Sequence, residues 1–432
     1  MTTSRRSLLA AAATAGTGML LASSGNGSAA AAGTDLAAGS GTAPVSPPVR
    51  PGFENLAADG YRMLEGQRIG VLTNMSGITH DCRSIVDVMH ADDRVKVTAI
   101  FTGEHGYRGT PQAGRSEGDT VDRSSGLPVF DTYLRSGKAL AEVIDRSKVD
   151  TIVYDFQDCG ARFYTCNWTL YDAMVAAAMA RRRFVVLDRP YPVSGRQALG
   201  PVLDKKYASF VGREPIAQAH GMTPGELALL FNDRFLPAAA GRRVDLEVVP
   251  VAGWRRGDFY DTTGLPWVPP SPNMATPATA LVYSGTCLFE GTNMSEGRGT
   301  VHPFEMLGAP GIDGAWADAV NSLGLPGAHF REAYYTPTFS TYTGKVVGGL
   351  QIHVHDRAAY DPVRTAVALL ITARKMWKDF AWRTDHFIDK LAGSDRLRTM
   401  TDAGAGLDDI TASWHDELAA FDADRRAHLL YG

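Results

Sequence analysis

The first half of the chain alternates short apolar runs with segments of helical spacing. The apolar runs are rich in β-branched residues, which is typical of buried strands, and they occupy residues 68–73, 95–101, 150–156, 184–188 and 244–251. Apolar residues at helical spacing predict helices over residues 82–89, 136–146, 168–180 and 224–232. Strands that alternate with helices in this way form a mostly parallel sheet with helices on both faces.

The pattern changes after residue 252. Residues 254–277 are rich in Trp, Pro and Asp, and we interpret them as an extended segment that crosses between domains. The later elements predicted are a strand at residues 345–354, an amphipathic helix at 362–380 and a further helix at 413–430. The fold class expected is therefore α/β, with a sheet domain at residues 53–252 and a smaller α+β domain at residues 253–432.

The N-terminal stretch has a different composition. Arg5 and Arg6 precede an apolar, Ala-rich run, and small residues follow it, so residues 1–32 predict a twin-arginine export signal. A membrane-anchoring helix is the alternative, but the apolar run is short for a span. Residues 33–52 are rich in Gly, Ala, Pro and Ser, which is typical of a flexible linker. We therefore expect a protein that is secreted or held in the cell envelope.

Charge and cysteine content exclude several classes of function. A formal net charge of −4 provides no basic field for nucleic acid. The four cysteines lack metal-ligand spacing, and the histidines are scattered, so no metal is expected. Cys159 and Cys166 flank one loop and either pair or remain free thiols. Neither a dinucleotide fingerprint nor a phosphate-binding loop is present, so no cofactor is expected.

Polar residues follow three of the predicted strands. Residues 102–109 (Thr-Gly-Glu-His-Gly-Tyr-Arg-Gly) set a carboxylate, an imidazole, a phenol and a guanidinium between three glycines. Further polar residues follow the next two strands: Asp155, Asp158, Arg162, Tyr164, Asp188 and Arg189. In open α/β sheets, ligands bind beyond the carboxyl ends of the strands. Three such clusters at one edge predict a functional site rather than solvated turns.

Carboxylates recur in these blocks, and glycoside hydrolysis uses a pair of carboxyl groups. One carboxylic acid protonates the leaving oxygen, and a second carboxylate stabilises the transition state, attacks the sugar or activates water. Glu104 stands just after a buried strand, where partial desolvation would suit the acid. Glu290 and Glu296, in a second Gly-rich block, are candidates for the second role, and Asp158 is another.

Together the blocks resemble the exo-β-N-acetylmuramidases, glycoside hydrolase family 171. The matching blocks lie at residues 102–106, 155–165, 188–190 and 290–300, and the resemblance extends from about residue 69 to residue 431. It implies a Rossmann-like domain with a smaller auxiliary domain and an active site in the cleft between them. It also implies release of terminal β-1,4-linked N-acetylmuramic acid from the non-reducing end of peptidoglycan fragments, with Glu104 as the leading catalytic residue.

Other residues of the same blocks are predicted to bind the substrate. They are His105, Tyr107, Arg108, Asp158, Arg162, Tyr164, Asn293 and Arg298. The lactyl carboxylate of the sugar gives Arg162 or Arg298 the role of an anion clamp. The loop at residues 106–126 could close the site beyond the terminal sugar. Tyr191 stands where the family pattern has Asn, and it could reshape the pocket.

Two other functions stay open from the sequence. A non-catalytic protein that binds muropeptides would keep the arginines and aromatic residues but would not need Glu104. An acyl hydrolase acting on muropeptides would need a nucleophile, and no Gly-x-Ser-x-Gly elbow is present. The partner expected in each case is a peptidoglycan fragment, with neither nucleic acid nor stable membrane insertion.

Overall fold

The computed structural model describes residues 48–432. The predicted export signal and residues 33–47 of the predicted linker lie outside the described residues. The strands in the described range are β1 (Arg68–Thr73), β2 (Lys96–Thr102), β3 (Thr120–Val121), β4 (Pro128–Asp131), β5 (Thr151–Asp155), β6 (Arg183–Leu187), β7 (Leu199–Val202), β8 (Ala217–Ala219), β9 (Asp245–Val249), β10 (Met306–Ala309), β11 (Ala328–Tyr335) and β12 (Val347–Val354).

The α-helices are interspersed among these strands. They are α1 (Gly52–Ala58), α2 (Ile85–His90), α3 (Gly137–Ser147), α4 (Cys166–Ala180), α5 (Pro224–Arg234), α6 (Leu236–Ala240), α7 (Pro277–Thr286), α8 (Ala315–Asn321), α9 (Pro362–Met376), α10 (Phe387–Ala392), α11 (Arg396–Asp402), α12 (Leu407–Ala412) and α13 (His415–Arg425). Within residues 48–432, none of the helices has the length and apolar character needed to cross a membrane.

The main sheet has seven strands in the order β3-β4-β2-β1-β5-β6-β9. Every pairing in it is parallel except that of β3 with β4. The central strand β5 is buried along its whole length, because helices cover both faces of a parallel sheet. All five predicted strands are present, and the predicted α/β, Rossmann-like fold class is confirmed.

The C-terminal half adds a smaller antiparallel sheet in the order β10-β12-β11. Helix α7 crosses α9 so closely that a Cβ at Gly285 would lie 1.9 Å from the carbonyl oxygen of Pro362, and only glycine permits this contact. Neither α7 nor β11 was predicted from the sequence. The predicted helix at residues 413–430 is shorter in the structure, because α13 ends at Arg425 and a 3-10 turn follows.

Helix α5 begins with the capping box that its sequence predicts. The Thr223 hydroxyl accepts from the backbone N–H of Glu226, and the Glu226 carboxylate accepts from the backbone N–H of Thr223. The same carboxylate forms a buried ion pair with Arg256 and accepts from the backbone N–H of Leu430. One helix cap therefore also fixes the segment that follows α13.

Asp188 lies at the carboxyl end of β6 and receives hydrogen bonds from distant parts of the chain. Its carboxylate accepts from the Thr223 hydroxyl, the Gly225 backbone N–H and the Tyr431 hydroxyl. Burial nevertheless raises the pKa of this carboxyl group to about 7. The hydroxyl of Tyr431 also accepts from the backbone N–H of Val251, so it satisfies two buried groups at once.

We predict that Tyr431→Phe lowers the free energy of unfolding by about 1–3 kcal/mol, because Asp188 and the Val251 N–H each lose a buried partner. Urea denaturation followed by circular dichroism measures this change. Tyr334→Phe is the matched control, since its side chain is 57% exposed and its hydroxyl contacts only Glu332, and it should leave the midpoint unchanged. Equal urea midpoints for the wild type, Tyr431→Phe and Tyr334→Phe would contradict the role given to Tyr431.

Candidate active site

A cavity of about 370 Å³ opens at the carboxyl end of the main sheet. One wall consists of the loops that follow β2 and β5, and it includes Glu104, Gly114 and Tyr164. Another wall comes from the C-terminal half and includes Glu290 and Arg298. The sheet and the smaller C-terminal part thus both line the cavity, and each contributes a carboxylate.

Glu104 is held at both of its carboxylate oxygens. Its Oε1 accepts from the backbone N–H of Gly114 at 2.5 Å, and its Oε2 accepts from the Thr165 hydroxyl at 2.7 Å. Gly114 belongs to the loop at residues 106–126, and Thr165 precedes α4 directly. The half-buried carboxylate is therefore fixed from two separate segments while it lines the cavity.

The backbone around Glu104 explains why its block contains glycine. A Cβ on Gly103 would lie 2.8 Å from the Thr169 hydroxyl on α4, so the chain needs glycine to pass this helix. His105 adopts φ 71°, in the left-handed region, and its backbone N–H donates to the carbonyl of Arg115. This turn folds the loop back so that Gly114 reaches the carboxylate.

Glu290 lines the same cavity from the other wall. It lies in a 3-10 helix, Cys287–Gly291, that continues directly from α7. The Nη1 of Arg298 is 2.9 Å from Glu290 Oε1 and 3.0 Å from Glu296 Oε1, so one guanidinium faces two carboxylates. Burial raises the pKa of Glu290; the charge of Arg298 opposes this effect and that of Glu296 adds to it.

Glu296 supports Arg298 and does not line the cavity. Its side chain is buried, and it accepts from Arg298 and from the Ser340 hydroxyl. The guanidinium of Arg298 also lies 4.8 Å from the centre of the Phe304 ring. Of the two glutamates predicted for the second catalytic role, the structure brings only Glu290 to the cavity.

Tyr164 and His105 also line the cavity. The ring of Tyr164 meets that of Tyr283 edge-on, with 5.9 Å between centroids. His105 Nδ1 lies 3.0 Å from the carbonyl oxygen of Pro111, which fixes the imidazole within the loop. Both Tyr164 and His105 are 8% exposed, so each presents only a small part of its surface to a ligand.

Arg162 does not reach the cavity, and its predicted role as an anion clamp is wrong. The side chain is fully buried, and its guanidinium donates to the carbonyls of Pro201 (2.7 Å), Ile216 (3.0 Å) and Leu391 (2.8 Å). No described carboxylate forms an ion pair with it, and burial lowers its pKa to about 9. These bonds join the β7–β8 hairpin to the end of α10.

Three more predicted binding residues stabilise the loops around the site rather than lining it. Asp158 is buried, with Oδ2 3.2 Å from His220 Nε2. Tyr107 is buried against the guanidinium of Arg108, which in turn pairs with Asp122 at 2.7 Å. Through contacts within the fold, these side chains fix the loops that carry Glu104 and Tyr164.

Asn293 and Tyr191 also lie away from the cavity. The side chain of Asn293 bonds the backbone of Asp379 and Ala381, and so fastens the segment before α10. The hydroxyl of Tyr191 donates to the Gly160 carbonyl at 2.7 Å and accepts from the Gly221 N–H. Tyr191 therefore holds the turn at Gly160, and its effect on the shape of the pocket stays a prediction.

The cysteines add no bond across the site. Cys159 and Cys166 are buried free thiols, and burial raises the pKa of both. Cys287 lines the cavity, and its thiol donates to Glu290 at 3.5 Å. Burial raises the pKa of the Cys287 thiol well above its usual value, so it remains protonated.

Two family models cover nearly all of the described chain. Residues 69–278 match the N-terminal domain of exo-β-N-acetylmuramidase NamZ, and residues 281–431 match its C-terminal domain. The chain belongs to the exo-β-N-acetylmuramidase NamZ family. The two matched regions meet within the first turn of α7, and residues of both line the cavity.

Relatives of known name or structure agree with this family. The peptidoglycan β-N-acetylmuramidase NamZ of Bacillus subtilis strain 168 is 42% identical over 387 residues, which is 89% of this chain and 92% of that protein. A DUF1343 family protein of Bacteroides fragilis has a TM-score of 0.81 at 30% identity, covering 89% of this chain and 99% of its own. A second protein of that family and organism has a TM-score of 0.71 at 29% identity, with the same coverage.

This family member also has cavity residues that the sequence analysis did not identify. Asn273, Arg383 and Lys390 all line the cavity. They stand outside the Gly-rich blocks, in segments without helical or strand periodicity or in the short helix α10. The one signal available was composition, since residues 381–390 mix aromatic and charged residues directly after a predicted helix, as binding loops often do.

We predict that Arg162→Met lowers the free energy of unfolding by about 3 kcal/mol, because three buried carbonyls each lose a charged donor. Chemical denaturation measures the change. Arg62→Met is the control, since the Arg62 side chain is 78% exposed and pairs only with Asp59, and it should not alter the midpoint. A stable Arg162→Met protein would show that the guanidinium is not needed to hold α10.

Proposed function

We propose that this protein is an exo-acting glycoside hydrolase that releases terminal β-1,4-linked N-acetylmuramic acid from the non-reducing end of peptidoglycan fragments. The observation that carries the proposal is the pair of carboxyl groups, Glu104 from the sheet and Glu290 from the C-terminal half, that line one cavity. Membership of the NamZ family supports the substrate class. The activity named for the Bacillus subtilis relative is that of a peptidoglycan β-N-acetylmuramidase.

In this proposal Glu290 is the proton donor. Arg298 faces the carboxylates of Glu290 and Glu296. When both carboxylates are ionised, the three side chains together carry one net negative charge. A proton on Glu290 removes that charge while Arg298 remains paired with Glu296. The burial that raises the pKa of Glu290 favours the same state. Glu290 is thus suited to protonate the leaving oxygen.

Glu104 then takes the role of the anionic carboxylate. Both of its contacts, from the Gly114 N–H and the Thr165 hydroxyl, are donors directed at its oxygens. A carboxylate fixed in this way can stabilise the positive charge that develops at the anomeric carbon, attack that carbon or orient water toward it. From the sequence, Glu104 was expected to be the acid and Glu290 a candidate for the second carboxylate. We propose the reverse assignment.

The shape of the site supports action at a chain end. The cavity, at about 370 Å³, is small for a ligand site, since such sites span roughly 300–1,000 Å³. Ala113 and Gly114, at the tip of the loop at residues 106–126, form part of its wall. We propose that this loop blocks the glycan beyond the terminal sugar, so that only a non-reducing end can enter.

The acyl hydrolase is the weaker candidate, because the one cavity thiol is held protonated. Cys287 lines the cavity, but burial raises its pKa, and its contact is with an acidic side chain rather than a base. A non-catalytic muropeptide-binding protein would need the cavity but not its paired carboxyl groups. The two substitutions below separate binding from turnover.

We also propose that the protein is exported by the twin-arginine route and acts in the cell envelope or outside the cell. The support is the Arg5-Arg6 pair with its apolar run and small residues. The free, buried state of Cys159 and Cys166 is compatible with a chain that folds before export, because its fold uses no disulfide between them.

We predict that Glu104→Gln lowers kcat/KM on a chromogenic β-N-acetylmuraminide by about 10²–10⁴-fold, while calorimetry shows product binding within a few-fold of wild type. Glu142→Gln on α3 is the matched control, since the Glu142 side chain is 69% exposed, and it should keep full activity. Binding by the wild type without turnover would instead favour the muropeptide-binding protein.

We predict that Glu290→Gln affects two substrates differently. On an oligosaccharide, whose leaving group needs a proton, kcat/KM should fall by about 10²–10⁴-fold. On a nitrophenyl glycoside, whose leaving group needs little protonation, the loss should be much smaller. In the wild type, kcat/KM on the oligosaccharide should fall as the pH rises through the pKa of Glu290. The pH profile of the Glu290→Gln variant should lack this decrease. Equal losses on both substrates would assign the proton donor elsewhere.

A further inference from the structure

Lys390 is the one cation lining the cavity that the fold leaves without a partner among residues 48–432. Three basic side chains, Arg298, Arg383 and Lys390, line the cavity. Arg298 is paired with two carboxylates, and Arg383 pairs with Asp385 at 2.8 Å. The ammonium of Lys390 forms neither an ion pair nor a hydrogen bond with any of the described residues, although its side chain is half-buried.

The carboxylates near Lys390 on its own helix are already engaged. Asp389, the preceding residue, is buried and pairs with Arg398 through both oxygens, at 2.9 and 2.7 Å. Asp385, just before α10, is held by Arg383. An amine that is partly removed from water gains most from an anionic partner, and here that partner has to come from a ligand.

The segment that carries Lys390 is fastened on two sides. The next residue, Leu391, gives its carbonyl to the buried guanidinium of Arg162. On the other side, a Cβ at Gly291 would lie 2.6 Å from Ile388 Cα, so α10 packs directly on the 3-10 helix that carries Glu290. Lys390 therefore has a fixed base, and its distance from the proposed proton donor is set by backbone packing.

We propose that Lys390 binds the lactyl carboxylate of the terminal sugar and thereby selects N-acetylmuramic acid over N-acetylglucosamine. The inference rests on the proposed function, and it assigns the anion clamp to a residue outside the Gly-rich blocks. N-Acetylmuramic acid differs from N-acetylglucosamine by an O3 lactyl ether that ends in a carboxylate. Arg162 lies outside the cavity, and Arg298 is neutralised by Glu290 and Glu296, so Lys390 is the cation available for that group.

This role differs from a general electrostatic one. A lysine that only offset the negative charge of Glu104 would affect every glycoside equally. A lysine that binds the lactyl carboxylate acts only on substrates that carry it. The ratio of kcat/KM between a charged and a neutral substrate therefore separates the two roles.

The test compares three nitrophenyl β-glycosides: the N-acetylmuraminide, its lactyl amide and the N-acetylglucosaminide. Lys390→Met should lower kcat/KM on the charged substrate by about ten- to hundredfold, chiefly through KM, because it removes a charge-assisted hydrogen bond. It should leave the two neutral substrates within about twofold of wild type. Lys390→Arg should recover most of the loss on the charged substrate.

Lys375→Met provides the matched control, since Lys375 is an exposed lysine in the last turn of α9, and it should match wild type on all substrates. Thermal unfolding of each variant checks that the fold is kept. Equal losses on charged and neutral substrates, or an unchanged preference for the muraminide, would overturn the role of Lys390. A wild type that hydrolyses none of the three would overturn the proposed function itself, which is a separate result.

Discussion

The arrangement of the site depends on one buried guanidinium. Arg162 is removed from water, and no described carboxylate contacts it, so its charge is stabilised by carbonyl dipoles alone. Two of those carbonyls belong to the hairpin β7–β8 and the third to α10, in the C-terminal half. Gly393, which ends α10, leaves room for the guanidinium, since a Cβ there would lie 2.8 Å from its Nη2. This one side chain thus links the two parts of the chain that line the cavity.

Much of the fold could be predicted from the sequence because buried parallel strands have a distinct composition. The strands before Glu104, Asp158 and Asp188 were each identified, and the capping box at Thr223 fixed the start of α5. Chain order also predicted that the polar residues after these strands would lie at one edge. Helix α7 was missed, because the Pro-rich segment before it predicts extended chain up to its first residue.

The roles of individual polar residues at that edge could not be predicted in the same way. Glu104 and Arg162 both follow a central strand, yet one lines the cavity and the other turns into the protein. Asp155 and Arg189 form a buried ion pair with each other, so two of the polar residues at this edge neutralise one another. Lys390 comes from a part of the chain more than 280 residues after Glu104, and no local pattern connects them. Side-chain direction depends on the tertiary path, which local sequence does not encode.

The contact between Tyr431 and Asp188 has a consequence for the order of assembly. The two residues are 243 positions apart, and the Arg256–Glu226 pair and the Leu430 N–H reinforce the same junction. A ribosome makes the main sheet long before it makes the segment that completes it. Until that segment is made, Asp188 lacks the Tyr431 hydroxyl as a donor, and contacts between such distant residues slow folding. A chaperone that shields this half during translation would act on the step that the topology makes slow.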